Sequence, residues 1–220
     1  MQPIVPDLFV LRGFPPYAIN VYLMGDVLLD AGTRYAGPRI LRQLRGRQVQ
    51  THALTHVHAD HQGASHHVCR SLALPLWCSA AEASAMERGD LSQQHPRNLL
   101  TALEERCWAG PAHPVARALR EGDVVGGFTV IDTPGHSPGH LAYWREADRT
   151  LVLGDVLVNL NFWTGQPKLG EPPRQFTRDA AQNRASARKL AVLAPRVVCF
   201  GHGPPVYDGH RVVDFIDRLS

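Results

Sequence analysis

The spacing of apolar and polar positions changes character several times along the chain. Leu8–Arg12, Ala18–Met24 and Val27–Asp30 are rich in β-branched and aromatic residues and are divided by Pro or Gly, which predicts strands. Pro38–Leu44 then takes helical spacing, with Ile40, Leu41 and Leu44 on one side, and a strand-like His52–Thr55 follows. Asp60–Ser71, Ala80–Arg88 and Arg97–Cys107 read as helices, with Leu74–Cys78 as a short strand among them. From Asp123 strands return at Phe128–Thr133, His140–Trp144, Thr150–Leu153 and Val197–Phe200, the last preceded by a helix over Asp179–Ala194. The order sheet, helices, sheet, helix describes a mixed α and β domain without choosing its topology. No internal repeat is evident at a period of roughly 20 to 50 residues.

Composition narrows the class. With 220 residues, 44% apolar and 20% charged, the chain is expected to form one domain, residues 1–220, with a sizeable core. The net charge of +3 is small and the arginines are scattered, so nucleic acid is not an expected partner. Prolines 3, 6, 15 and 16 interrupt the first residues, which carry no basic leader, and no stretch approaches the roughly 20 apolar residues that span a bilayer. Cys69, Cys78, Cys107 and Cys199 form no CxxC pair and are expected to be reduced thiols. A soluble cytoplasmic protein acting on a small molecule is the expectation; oligomeric state is not legible.

The densest chemistry is His56-Val57-His58-Ala59-Asp60-His61, where four potential ligands fall within six residues at the end of a predicted strand. Isolated histidines usually pack or face solvent, but this run points to a metal. Residues two apart in an extended segment point the same way, so His56 and His58 can face one ion while the turn carries Asp60 and His61 elsewhere. Three later strand ends add His136 in Thr133-Pro134-Gly135-His136, Asp155 in Leu153-Gly154-Asp155 and His202 in Gly201-His202-Gly203. Nitrogen and carboxylate donors without thiolate suit an open catalytic site rather than a closed structural one.

These motifs resemble the metallo-β-lactamase superfamily, in particular its glyoxalase II-like branch, and they match in order from His56 to His202 with a fitting strand pattern from about Leu8. The resemblance implies a four-layer αββα sandwich and two divalent metal ions, zinc first, with iron or manganese as alternatives. It implies His56, His58 and His136 on one ion, Asp60, His61 and His202 on the other, and Asp155 as a bridge. It also implies a metal-bridging hydroxide as nucleophile, with Asp60 as the catalytic side chain that orients it. Asp30, in Leu28-Leu29-Asp30-Ala31-Gly32, matches the family's early acidic segment, and both a supporting role at the metals and a simple turn role fit it. His140 is expected to pack or support the site rather than ligate, and His52, His66, His67, His95, His113 and His210 are expected to be structural or surface residues. Phe14, Pro15 and Tyr17, with Phe162 and Trp163 in the segment Asn159–Pro173, suggest a partly apolar substrate pocket.

Departures from known branches shape the functional expectation. Class B β-lactamases of this fold generally carry Cys or Ser where Asp155 stands, and flavodiiron proteins usually carry Glu where His58 stands. Only a short tail follows His202, unlike the helical extension with which glyoxalase II binds glutathione, which argues against hydroxyacylglutathione as substrate. A hydrolase of a small ester, thioester or lactone is the leading expectation. A persulfide dioxygenase with one iron on His56, His136 and Asp155 is the alternative, and a metal-dependent nuclease ranks below both.

Overall fold

Alternation along the short strands builds two sheets, each buried on both faces. In the computed structural model, which describes residues 1–219, seven strands form the first sheet in sequence order: β1 (Gln2–Val5), β2 (Leu8–Val10), β3 (Tyr22–Met24), β4 (Val27–Leu29), β5 (Thr51–Ala53), β6 (Leu76–Ser79) and β7 (Arg117–Leu119). Pairing is antiparallel from β1 to β4 and parallel from β4 to β7. β8 (Val124–Val125), β9 (Phe128–Asp132), β10 (Leu141–Arg145) and β11 (Thr150–Val152) belong to the second sheet, and β12 (Val158–Asn159) pairs with β13 (Leu169–Gly170) as a separate ribbon. β14 (Val197–Cys199) completes the second sheet by lying parallel to β11, giving the order β14-β11-β10-β9-β8.

Side-chain alternation assigns the layers. Tyr22, Met24, Val27 and Leu29 from the first sheet share a core with Phe128, Val130, Tyr143 and Val152 from the second. Their neighbours Leu23 and Leu28 point the other way, toward Ile40 and Leu44 of α1 (Gly37–Leu44). That outer layer also takes in α2 (Ala59–Gln62), Val68 of α3 (Ser65–Leu72) and Met86 of α4 (Ala83–Arg88). α5 (Leu99–Trp108) packs beside α2 and starts at Asn98, whose side chain accepts from Leu100 N and Thr101 N. On the far side, Ala142, Leu151 and Val198 meet Leu190 of α6 (Ala180–Ala191) and Val212 and Ile216 of α7 (His210–Asp217). Helix, sheet, sheet, helix is the expected αββα sandwich.

The predicted elements need three corrections. The single helix expected over Asp60–Ser71 is two, α2 and α3, divided at Gly63 and Ala64. Gly63 is pressed so closely against neighbouring backbone that a Cβ there would lie 2.4 Å from Arg34 N and 2.5 Å from Trp108 O. Only Tyr22–Met24 of the strand expected over Ala18–Met24 is paired, because Ala18 O accepts from His202 and the Asn20 side chain donates to Phe200 O and Gly203 O. β1, β7, β8, β12, β13 and α7 lie outside the predicted elements: β1 and β7 are edge strands, and β8, β12 and β13 are two residues long each. No helix among the described residues is long and apolar enough to cross a membrane.

Candidate metal centre

All seven expected ligands lie just beyond the C-terminal ends of strands. His56, His58, Asp60 and His61 follow β5, His136 follows β9, Asp155 follows β11 and His202 follows β14. The sheets are stitched together there, with Leu141 N donating to Thr55 O at 2.8 Å and the Tyr143 hydroxyl to Leu54 O at 2.7 Å. Gly201 explains how the last two loops approach each other: a Cβ on it would stand 1.9 Å from Asp155 Oδ1.

The side chains meet as three overlapping groups, His56/His58/His136, His56/His61/Asp155 and Asp60/His61/His202, each with ligand atoms within 4.8 Å of one another. Asp155 Oδ2 is 3.5 Å from His61 Nε2, 3.6 Å from His136 Nε2 and 3.1 Å from His202 Nε2. Asp60 Oδ2 is 3.2 Å from His202 Nε2 and 3.7 Å from His61 Nε2. Two ligands each about 2.1 Å from a tetrahedral ion stand about 3.4 Å apart, so these spacings fit ligands around ions. His56 Nε2, His61 Nε2, His136 Nε2 and Asp155 Oδ1 are buried without any hydrogen-bond partner, a costly state that a cation would relieve.

The outer partners fix which ring nitrogen is free to ligate. Thr55 Oγ1 donates to Asp30 Oδ2 and therefore accepts from His56 Nδ1–H at 3.0 Å, which turns the Nε2 lone pair inward. Thr177 Oγ1 donates to Pro173 O and accepts from His136 Nδ1–H at 3.2 Å. His61 Nδ1–H donates to Asp30 Oδ2, and His202 Nδ1–H to Ala18 O. His58 is the exception in hand but not in logic: Nε2–H donates to Gln94 O at 3.1 Å and Nδ1 is left free.

Two undecided residues find their roles. Asp30 has a left-handed backbone (φ 60°), as a turn carboxylate can, and its side chain also accepts from Thr55 N, Thr55 Oγ1 and His61 Nδ1. It is a turn residue and a support of the site at once. His140 Nε2 accepts from Asp155 N at 3.0 Å while Nδ1–H donates to Thr133 Oγ1 at 2.8 Å, so both nitrogens are engaged and none is left for a metal.

Charge divides the site. Burial, aided by the neighbouring imidazoles, holds His56 and His136 well below the usual histidine range, and burial takes His58 down to about 4. Burial would lower His61 and His202 too, but the Asp155 and Asp60 carboxylates outweigh it, raising His61 and placing His202 at about 10. The same pairing overcomes burial on Asp60 and Asp155 and holds both carboxyls low.

Several residues here had no signal in the sequence. Gln94 supplies the carbonyl for His58, and His95, buried, packs 5.4 Å from the His58 ring and reaches Glu105 at 2.9 Å. Glu104 of α5 interacts with Asp60, and burial together with that carboxylate raises it to about 9. Of the expected pocket aromatics, Phe162 stands 5.4 Å from the His202 ring, whereas Phe14 and Trp163 project into solvent and the Tyr17 hydroxyl turns away to Gln2.

The model of the metallo-beta-lactamase superfamily matches residues 14–202. The chain belongs to that superfamily. Probable metallo-hydrolase YflN of Bacillus subtilis is 28% identical over 223 residues, covering 89% of this chain and 84% of the relative. A hydroxyacylglutathione hydrolase of Bdellovibrio bacteriovorus is 30% identical across 79% of this chain and 56% of its own length. Among solved structures, BLEG-1 B3 metallo-beta-lactamase superposes with a TM-score of 0.70 at 26% identity, over 93% of this chain and 95% of that one. TTHA1623 in a di-iron-bound form does so with a TM-score of 0.63 at 27% identity, over 94% and 93%. Family and relatives support a metal-dependent hydrolase with glyoxalase II-like relatives.

Proposed function

We propose that the protein hydrolyses a small ester, thioester or lactone at a binuclear metal centre. The observation that carries this reading is the inward convergence of seven donor side chains, five of them imidazoles whose ring nitrogens are fixed by outer partners. His56, His58 and His136 would hold one ion, Asp60, His61 and His202 the other, and Asp155, central to three imidazoles, would bridge. Zinc is the expected metal, and iron or manganese suits the same donors. When bound, two such ions supply an activated water and a Lewis acid for the carbonyl oxygen.

The rest of the chemistry belongs to the chain. Asp60, buried, would orient the attacking water as well as ligate. Asp30 keeps His61 turned inward, and His140 holds the Asp155 backbone. Phe162 beside His202 offers an apolar contact to a substrate. The similarity to a hydroxyacylglutathione hydrolase supports thioesters within the proposed class. A small-molecule substrate, no nucleic-acid partner and a cytoplasmic location, in keeping with four unpaired cysteines, belong to the same proposal.

The test is turnover of a panel of thioesters, esters, lactones and β-lactams by metal-loaded protein in oxygen-18 water, with and without air. Oxygen-independent hydrolysis of a thioester, ester or lactone, with the label in the acid product, is the expected result. Oxygen uptake stoichiometric with loss of an added persulfide, in protein holding one iron per chain, would overturn it in favour of the dioxygenase.

A further inference from the structure

We infer that Glu82 is a positioning residue for the histidine-only half of the centre, its buried carboxylate locking together the two loops that carry His56, His58 and His136. This rests on reading the site as a metal centre. Glu82 occupies the N-cap of α4, where an acidic side chain ordinarily accepts from the first turn of its own helix, yet it makes no such bond. It reaches across the fold instead. Oε2 accepts from Val57 N at 2.6 Å, between His56 and His58, and Oε1 accepts from Ser137 Oγ at 2.5 Å and Gly139 N at 2.9 Å, beyond His136. The partners lie 25, 55 and 57 residues away in sequence.

Full burial of this carboxylate is costly and is compensated by the three donors, all of which belong to ligand-bearing loops. The second loop is drawn in closely: a Cβ on Gly139 would lie 2.2 Å from Ser79 Oγ and 2.8 Å from Glu82 Cγ. The next residue, His140, takes the Asp155 amide, so the clasp extends to the carboxylate shared by both halves. The histidines of the other half are held by different partners, His61 by Asp30 and His202 by Ala18. A defect at Glu82 should therefore fall first on the histidine-only half and reach the other only through Asp155.

Glu82→Gln keeps the shape and removes the match. Its amide has one acceptor oxygen and one NH2 group, so either Val57 N–H or Gly139 N–H must face another donor. The experiment is Co(II) titration of His202→Ala protein, which retains the histidine-only half, against His202→Ala/Glu82→Gln, reading affinity and the visible Co(II) absorption at a temperature where circular dichroism shows both folded. A 10- to 100-fold loss of affinity, of the size typical when a partner behind a ligand is removed, with a shifted absorption band is expected. Affinity within about twofold and an unchanged band, whatever happens to the melting temperature, would make Glu82 a structural residue only and overturn the inference while the metal reading stands. No Co(II) binding by the His202→Ala parent would instead sink the metal reading and the inference with it. Should Glu82→Gln not fold, Ser137→Ala in the same background removes one donor; several-fold weaker Co(II) binding supports the inference, and unchanged binding overturns it.

Discussion

The two halves of the candidate centre solve the problem of buried polarity in opposite ways. His56, His58 and His136 are imidazoles that burial keeps neutral, so their inward lone pairs are available at neutral pH. Across from them, His61 and His202 are held protonated among Asp30, Asp60 and Asp155, so protons stand where a cation is expected. The difference teaches that one half needs only an ion, whereas the other must exchange protons for one. Asp155 belongs to both, which makes it the place to break the contrast.

Asp155→Ala is expected to have the largest effect, lowering occupancy of both halves and cutting activity by more than the roughly 10- to 100-fold that loss of an outer partner costs. His202→Ala should empty mainly the carboxylate half. Metal analysis of the two variants distinguishes them, and equal loss of a single ion in both would argue against bridging. Asp30→Asn, which weakens the direct hold on His61 and, through Thr55, the hold on His56, should then cost about 10- to 100-fold in affinity for the ion of the carboxylate half and less for that of the histidine half.

Proton release sharpens the same contrast. At pH 7 an ion entering the histidine half displaces no proton, because His58 titrates at about 4 and its two partners are also depressed. An ion entering the carboxylate half displaces protons from His61 and His202, so its affinity should rise with pH, for the His202 proton about tenfold per pH unit up to about pH 10, and fall as the pH drops. Calorimetric titration in buffers of different ionisation heat would show release from one binding step and not the other. The smallest effect is expected from Phe162→Ala: a KM raised about three- to tenfold with kcat little changed, read from steady-state kinetics on whichever substrate the panel identifies.

Much of this centre was legible before the structure because its signals are local. His56, His58, Asp60 and His61 are crowded into one turn, and His136, Asp155 and His202 each follow an apolar run and a glycine. Enrichment in β-branched and aromatic residues likewise pointed to the inner strands, through Ala18–Met24 and His140–Trp144, whose paired parts set both faces of the sandwich. What was hidden depends on contacts distant in sequence. Glu82 and Glu104 read as ordinary helix carboxylates, and nothing near them in the chain reveals the loops or the Asp60 side chain they meet. Gln94 acts through its backbone, which any residue type supplies, and Thr177 enters from a turn before α6. The break between α2 and α3 escaped for the same reason, since it answers to the backbone of Thr33, Arg34 and Trp108.

The most direct test of the central claim is the number of metal ions per chain. Protein purified without chelator, then titrated with zinc at neutral pH and desalted, should carry two ions per chain by elemental analysis. Loss of His58 and loss of His202 should each leave about one. A single ion per chain at saturation, undiminished when Asp60, His61 or His202 is replaced, would contradict the account.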